Sequence, residues 1–279
     1  MSTEARGEIF ILTISDSRGR GAADYIAEAL PDEADNITIT ECSKGGADLS
    51  ELFTKTRRLT RSINNTHPTE KIAVLLQGGI CSLTSKKKGE ILYEPAENNL
   101  TKIKDTFREI YEYCTERGYY LAIVSILLVS LDNANKRSDD KRRHADKPNR
   151  KLAVTPRCQQ QQRLTKDIQE LNSYLSTLLG DTNTVFININ KCFERRTIKK
   201  CGKNKKARKK IRFNFKHMTD GIHLNQQDIT PAIQKISKGL THLLGLTATE
   251  PEEEQESQES QTTQSEDEGP WDFKRRKTI

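Results

Sequence analysis

Ile9-Phe10-Ile11-Leu12-Thr13-Ile14-Ser15-Asp16-Ser17-Arg18-Gly19 is an apolar, largely β-branched run that stops abruptly at a polar turn. It reads as a buried strand, and Arg20 to Leu30 follows with the spacing of a helix. Ligands of α/β proteins sit beyond the carboxyl ends of the strands, so this turn is where chemistry is expected. Taken alone, Asp16 or Ser17 reads equally well as the cap of the next helix.

Outward from this stretch the alternation repeats. Ile37–Glu41, Ile72–Leu76, Tyr120–Val129 and Val185–Ile189 read as strands, and Ala47–Ile63, Asn98–Arg117, Gln160–Leu179 and Asp228–Leu246 as helices. The strand-like runs are mostly apolar throughout, as expected when helices cover both faces of a parallel sheet. An α/β domain over residues 1–248 is therefore expected, followed by a disordered acidic tail over 249–279.

The 279 residues are 34% hydrophobic and 30% charged, enough for one domain with tails. Net charge is +7, although Glu250 to Gly269 contains nine acidic residues and no basic one, so the body is more basic than the whole. Two basic inserts, near 133–151 and 195–212, and the cluster Lys86-Lys87-Lys88 point to a polyanionic partner such as RNA or single-stranded DNA. Lys205, Lys206, Arg208, Lys209 and Lys210 are the candidate phosphate contacts. Phe213 and Phe215 read either as stacking platforms for bases or as the core face of a strand. Lys274, Arg275, Arg276 and Lys277 read as an import signal or as the end of a solubilising tail.

The six cysteines show no tight pairing pattern, which fits reduced intracellular thiols. Cys192 and Cys201, ahead of His217 and His223, are spaced more widely than usual zinc ligands, so no metal or other cofactor is expected. The longest apolar run, Leu121 to Val129, is too short to span a bilayer, and the start of the chain lacks a signal-peptide pattern. A soluble protein of the cytoplasm or nucleus is expected.

The second decisive stretch is Asp220-Gly221-Ile222-His223-Leu224-Asn225, just ahead of the closing helix. An Asp three residues before a His on one turn can hold the imidazole in one orientation and tautomer. With Ser17 at the other ring nitrogen, the three make a nucleophile, a general base and an orienting acid.

With both stretches in place, residues 8 to 246 resemble the SGNH hydrolase superfamily, the GDSL-type esterases and lipases. Ser15-Asp16-Ser17 is similar to the first block, with Ser15 in place of the usual Gly. The resemblance implies a flavodoxin-like three-layer αβα fold, Ser17 as nucleophile, His223 as general base and Asp220 as its partner. It also implies that the N–H groups of Ser17 and Gly46 hold the oxyanion. The third block departs from the family: where Gly-x-Asn-Asp is usual, the chain reads Gln77-Gly78-Gly79-Ile80-Cys81. Ile80 or Cys81 takes the place of the oxyanion-hole Asn, and neither is an amide donor.

Two classes of function follow. One is an ester hydrolase acting on a carboxylester or acetyl ester. The other is a weakly active or non-catalytic SGNH-like protein that binds nucleic acid or assembles, an outline that also resembles SGNH-like domains encoded by retroelements.

Overall fold

The computed structural model describes residues 8–30, 36–68, 70–87, 90–93, 99–136, 156–199, 208–225 and 228–246. Within them, five of the apolar runs form one parallel sheet in the order β2-β1-β3-β6-β7. Its strands are β1 (Ile9–Ser15), β2 (Ile37–Ser43), β3 (Lys71–Gln77), β6 (Tyr120–Val124) and β7 (Thr184–Ile187). All seven residues of β1 are buried, because β1 lies between β2 and β3 with helices on both faces. Strand β2 alternates in burial instead, as suits an edge strand.

One face of the sheet is covered by α2 (Leu49–Thr66), α4 (Asn99–Thr115) and α5 (Arg157–Leu178), whose Leu52, Phe107, Ile110, Leu164 and Leu171 share a core with Leu12, Val74 and Leu121. The opposite face carries α1 (Ala22–Ala29) and α6 (Thr230–Leu244), with Ile26, Ile236 and Leu240 packed on Leu75, Ala122 and Val124. The result is the expected three-layer αβα, flavodoxin-like architecture. Local chemistry sets the helix ends: Asp48 and Glu51 form a reciprocal capping box at α2, and Pro231 opens α6. A short α3 (Ile80–Leu83) and the antiparallel pair β4 (Ser85–Lys87) and β5 (Glu90–Leu92) follow β3.

The structure corrects the long strand expected over Tyr120–Val129. Pairing in β6 ends at Val124, and the last ladder bond is the Ser125 N–H to Ile187 O at 2.9 Å. Beyond Ile187 the neighbouring strand turns into a 3₁₀ helix (Ile189–Phe193) started by the Asn188 side chain, so residues 126–130 have no strand beside them. Three side-chain amides replace it. Asn172 accepts from the Ile126 N–H at 2.8 Å and donates to Ile126 O at 2.9 Å; Asn190 accepts from the Leu128 N–H at 3.0 Å. Gln161 accepts from the Leu131 N–H at 2.7 Å and donates to Val129 O at 2.8 Å. Buried backbone groups require such partners, and side-chain amides supply both donor and acceptor.

The basic insert near 195–212 includes β8 (Glu194–Lys199) and β9 (Arg208–Phe213), an antiparallel ribbon in which Arg195 faces Arg212, Thr197 faces Lys210 and Lys199 faces Arg208. Lys205 and Lys206 lie outside the described residues, as do 137–155 of the other insert, Lys88 and the acidic tail with Lys274, Arg275, Arg276 and Lys277. Among the described residues no helix is long and apolar enough to cross a membrane.

Asn190 is 8% exposed and also donates to Ser125 Oγ at 3.1 Å and Ile126 O at 2.9 Å. Asn190→Ala leaves the Leu128 N–H without its partner, while Ile126 O keeps Asn172 and Ser125 Oγ keeps the Ile189 N–H, and urea unfolding is expected to show a loss of about 1–3 kcal/mol.

Candidate active site

The turn after β1 is held by its neighbours. The Lys44 N–H donates to Ser15 O at 3.0 Å, and the Asp16 N–H to Gln77 O at 3.1 Å, carrying the pairing to the last residue of the strand. Asp16 is fully buried and caps the 3₁₀ turn Ser17–Gly19, accepting from the Arg18 N–H at 2.9 Å. The Arg18 guanidinium folds back to the same carboxylate at 2.9 Å, with 3% of its side chain exposed. Asp16 thus caps this 3₁₀ turn and not α1, whose N-cap is Gly21 with no side-chain cap, and Ser17 is left free at the start of the turn.

Ser17 reaches the other end of the chain. Its Oγ lies 3.0 Å from His223 Nε2, across 206 residues of sequence, and His223 Nδ1 lies 2.8 Å from Asp220 Oδ2. With the ring proton on Nδ1 donated to Asp220, Nε2 is left to accept from the Ser17 hydroxyl. Asp220 Oδ1 also accepts from the Ile222 N–H at 3.0 Å and the His223 N–H at 2.9 Å. Burial pushes the Asp220 carboxyl up, but the His223 and Ile222 hydrogen bonds and the nearby ring outweigh it, and the net shift is downward.

The loop bearing Asp220 and His223 is anchored twice. Gly221 has φ +82°, and a Cβ there would lie 2.6 Å from Ser130 O; its carbonyl accepts from the Ser130 N–H at 2.8 Å. The amide-clamped segment 126–130 therefore leads straight to the back of this turn. Asn225 closes the loop by donating to Lys216 O at 2.9 Å and Asp228 Oδ2 at 3.2 Å, while its Oδ1 accepts from Thr219 Oγ1 at 2.7 Å. His217, 3.2 Å from Asp228, is thereby engaged in the frame of the loop. Nothing in the sequence marked Ser130 or Arg18; Asn225 was visible at the end of the Asp-x-x-His stretch but carried no assigned role.

Around Ser17 the donors are backbone groups. Gly45 faces Ser17 directly, since a Cβ on it would lie 3.7 Å from Ser17 Cβ, and Gly46 follows in the same turn. Among the described residues, the N–H groups of Ser17, Gly45 and Gly46 have no hydrogen-bond partner. Ile80, 5% exposed, packs in the core beside α4, and burial pushes the half-buried Cys81 thiol up. Neither brings an amide to the site. Thr84 Oγ1 donates to Ile80 O at 2.9 Å, engaged within α3.

No protein-family model matches the chain, and no curated protein matches it in sequence. Solved structures are similar in fold. A GDSL-like lipase from Bacteroides thetaiotaomicron is 12% identical with a TM-score of 0.46, over 86% of this chain and 89% of that one. The acetyl xylan esterase AlAXEase is 11% identical with a TM-score of 0.47, over 83% and 97%. The psychrotrophic esterase EstA from Pseudoalteromonas sp. is 13% identical with a TM-score of 0.42, over 85% and 98%. These likenesses concern the course of the chain and assign no residue a role.

Ser15 stands directly under the turn. Its hydroxyl is buried with no partner, and a Cβ on Gly19 would fall 2.5 Å from Ser15 Cβ and 2.6 Å from its Oγ. Gly19→Ala is therefore expected to destabilise by about 1–3 kcal/mol through overpacking. Ser15→Gly in the same chain removes the two closest atoms and leaves Gln77 Oε1 at 3.0 Å, and denaturant unfolding is expected to show part of that loss restored.

Proposed function

We propose that the protein is a serine ester hydrolase of the SGNH type, acting on a carboxylester or acetyl ester. The observation that carries this reading is the continuous chain Ser17 Oγ, His223 Nε2, His223 Nδ1 and Asp220 Oδ2, with contacts of 3.0 and 2.8 Å. Ser17 Oγ bonds to the acyl carbon as its proton passes to His223 Nε2. The carbonyl π electrons move to oxygen, where the N–H groups of Ser17 and Gly46 stabilise the negative charge. The ester C–O bond then breaks, the alcohol leaves with the proton from His223, and the acyl group stays on Ser17. Water, deprotonated by His223, attacks in the same way and releases the acid, regenerating the hydroxyl. Asp220 keeps Nδ1–H in place and stabilises the imidazolium.

With Ile80 and Cys81 where the family carries Asn, one oxyanion donor is missing. Such a donor is worth about 2.7–4 kcal/mol, or roughly a hundred- to a thousandfold in rate. Activated aryl esters are the appropriate first substrates. Ser17→Ala and His223→Ala are each expected to abolish steady-state hydrolysis of 4-nitrophenyl acetate above background. Turnover that persists in Ser17→Ala, or none in the wild type, overturns the reading.

A second reading, a protein that binds nucleic acid on this scaffold, is favoured by the pairing in the β8–β9 ribbon. The register pairs Arg195 with Arg212 and Lys199 with Arg208, so arginine stands opposite arginine and lysine opposite arginine along the ribbon. Like charges directly opposite destabilise a ribbon, and phosphates relieve that repulsion. Binding to a single-stranded RNA or DNA oligonucleotide is expected to weaken steeply with salt. In the triple variant Arg208→Gln, Lys210→Gln, Arg212→Gln the slope of log K against log salt is expected to fall by about 2. Binding indifferent to salt and to the variant overturns this reading.

A further inference from the structure

The turn that presents Ser17 also presents Arg20, which is exposed and, among the described residues, has no ion-pair or hydrogen-bond partner. The side of Gly45 that faces Ser17 also faces this guanidinium: a Cβ on Gly45 would lie 3.7 Å from Ser17 Cβ and 3.8 Å from Arg20 Nη2. A free cation and Ser17 therefore lie on the same side of Gly45, each within van der Waals reach of the place where a side chain at residue 45 would begin.

Five carboxylates of the surrounding elements are committed elsewhere. Asp16 is paired with the buried Arg18. Glu41 accepts from the Gly21 N–H at 3.0 Å and the Ala23 N–H at 3.4 Å, closing the start of α1. Glu51 pairs with Lys44 at 2.6 Å, Asp48 caps α2, and Asp220 holds His223. Arg20 is thus the cation beside Ser17 that these groups leave uncompensated.

We infer that the ester this site takes carries an anionic group, a carboxylate or phosphate within a few bonds of the scissile carbonyl, and that Arg20 is the residue that selects it. This rests on the ester-hydrolase reading and deepens it by naming the substrate class. A guanidinium matches either anion with two parallel N–H donors, and Gly45 leaves room for the chain that connects the anion to the carbonyl. Because Arg20 is exposed, solvent screens the pair, and the expected preference is moderate.

The anion belongs to the acyl or to the alcohol portion, and two pairs of esters separate these cases. The acyl pair is 4-nitrophenyl hemiglutarate and 4-nitrophenyl pentanoate. The alcohol pair is 4-acetoxybenzoate and its methyl ester. Spontaneous hydrolysis is subtracted throughout, and kcat/KM is measured for wild type, Arg20→Gln, Ser17→Ala and Arg58→Gln, the last removing one positive charge from an exposed position on α2. In the pair that matches the substrate, the anionic-to-neutral ratio is expected to fall about fivefold in Arg20→Gln and to stay at the wild-type value in Arg58→Gln. An equal fall in both variants, or none in either, while Ser17-dependent turnover persists, overturns the inference and leaves the hydrolase reading intact. Absence of Ser17-dependent turnover with all four esters overturns both.

Discussion

Two backbone hydrogen bonds, Lys44 N–H to Ser15 O and Asp16 N–H to Gln77 O, hold the end of β1 between its two neighbours. The geometry around Ser17 depends on them. They keep the strand paired to its last residue, so the Asp16 cap and the tight turn after it start from a fixed point of a five-stranded sheet. The opposite half of the contact is anchored by the same sheet along a different route. Segment 126–130 continues from β6, and its Ser130 N–H binds the carbonyl of Gly221, inside the turn that bears Asp220 and His223. Two stretches separated by 206 residues thus meet at 3.0 Å because each is tied to a sheet strand by backbone bonds. A site supported in this way loses little freedom when a ligand arrives.

How much of this was legible from the residues follows from the range of the forces involved. The opening strand and the Asp-Ser turn were legible because an apolar run ending in polar residues is a local pattern. Asp220 and His223 were legible because three residues on one turn fix their relation. What failed was the end of the strand at Val129: Ile126-Leu127-Leu128-Val129 is as apolar as β6 itself, so burial cannot tell the two apart. Their difference lies in the partners of the backbone, which are the amides of Gln161, Asn172 and Asn190, 30 to 64 residues away. An amide that replaces a missing strand has no local signature. Arg20 was hidden for a related reason, since its meaning comes from the commitments of Asp16, Glu41 and Glu51 to other groups.

The apolar character of residue 80 is built into the packing. Ile80 opens α3 with its side chain in the core that holds Phe107 and Ile126, and a Cβ on Gly79 just before it would stand 3.0 Å from Ile126 Cδ1. An amide side chain in that core would be buried among hydrocarbon, which is costly without partners. The apolar residue is thus consistent with how α3 sits, and a polar one there would require α3 to move. The N–H groups of Ser17, Gly45 and Gly46, without partners among the described residues, are by contrast main-chain groups, fixed by the fold and needing no rotamer to be ordered.

The ribbon of β8 and β9 presents the opposite problem, a concentration of like charge that must be held in place. At its base Phe213 lies 5.9 Å from Phe193 and 5.1 Å from Phe215, and Phe193 lies 5.6 Å from the His217 ring. Phe193 is 2% exposed, and the half-buried Phe213 and Phe215 pack against the same core cluster. Aromatic burial at one end offsets repulsion along the strands. The same stack hands the chain on to Asn214 and His217, the start of the loop that carries His223, so ribbon and site share one anchor.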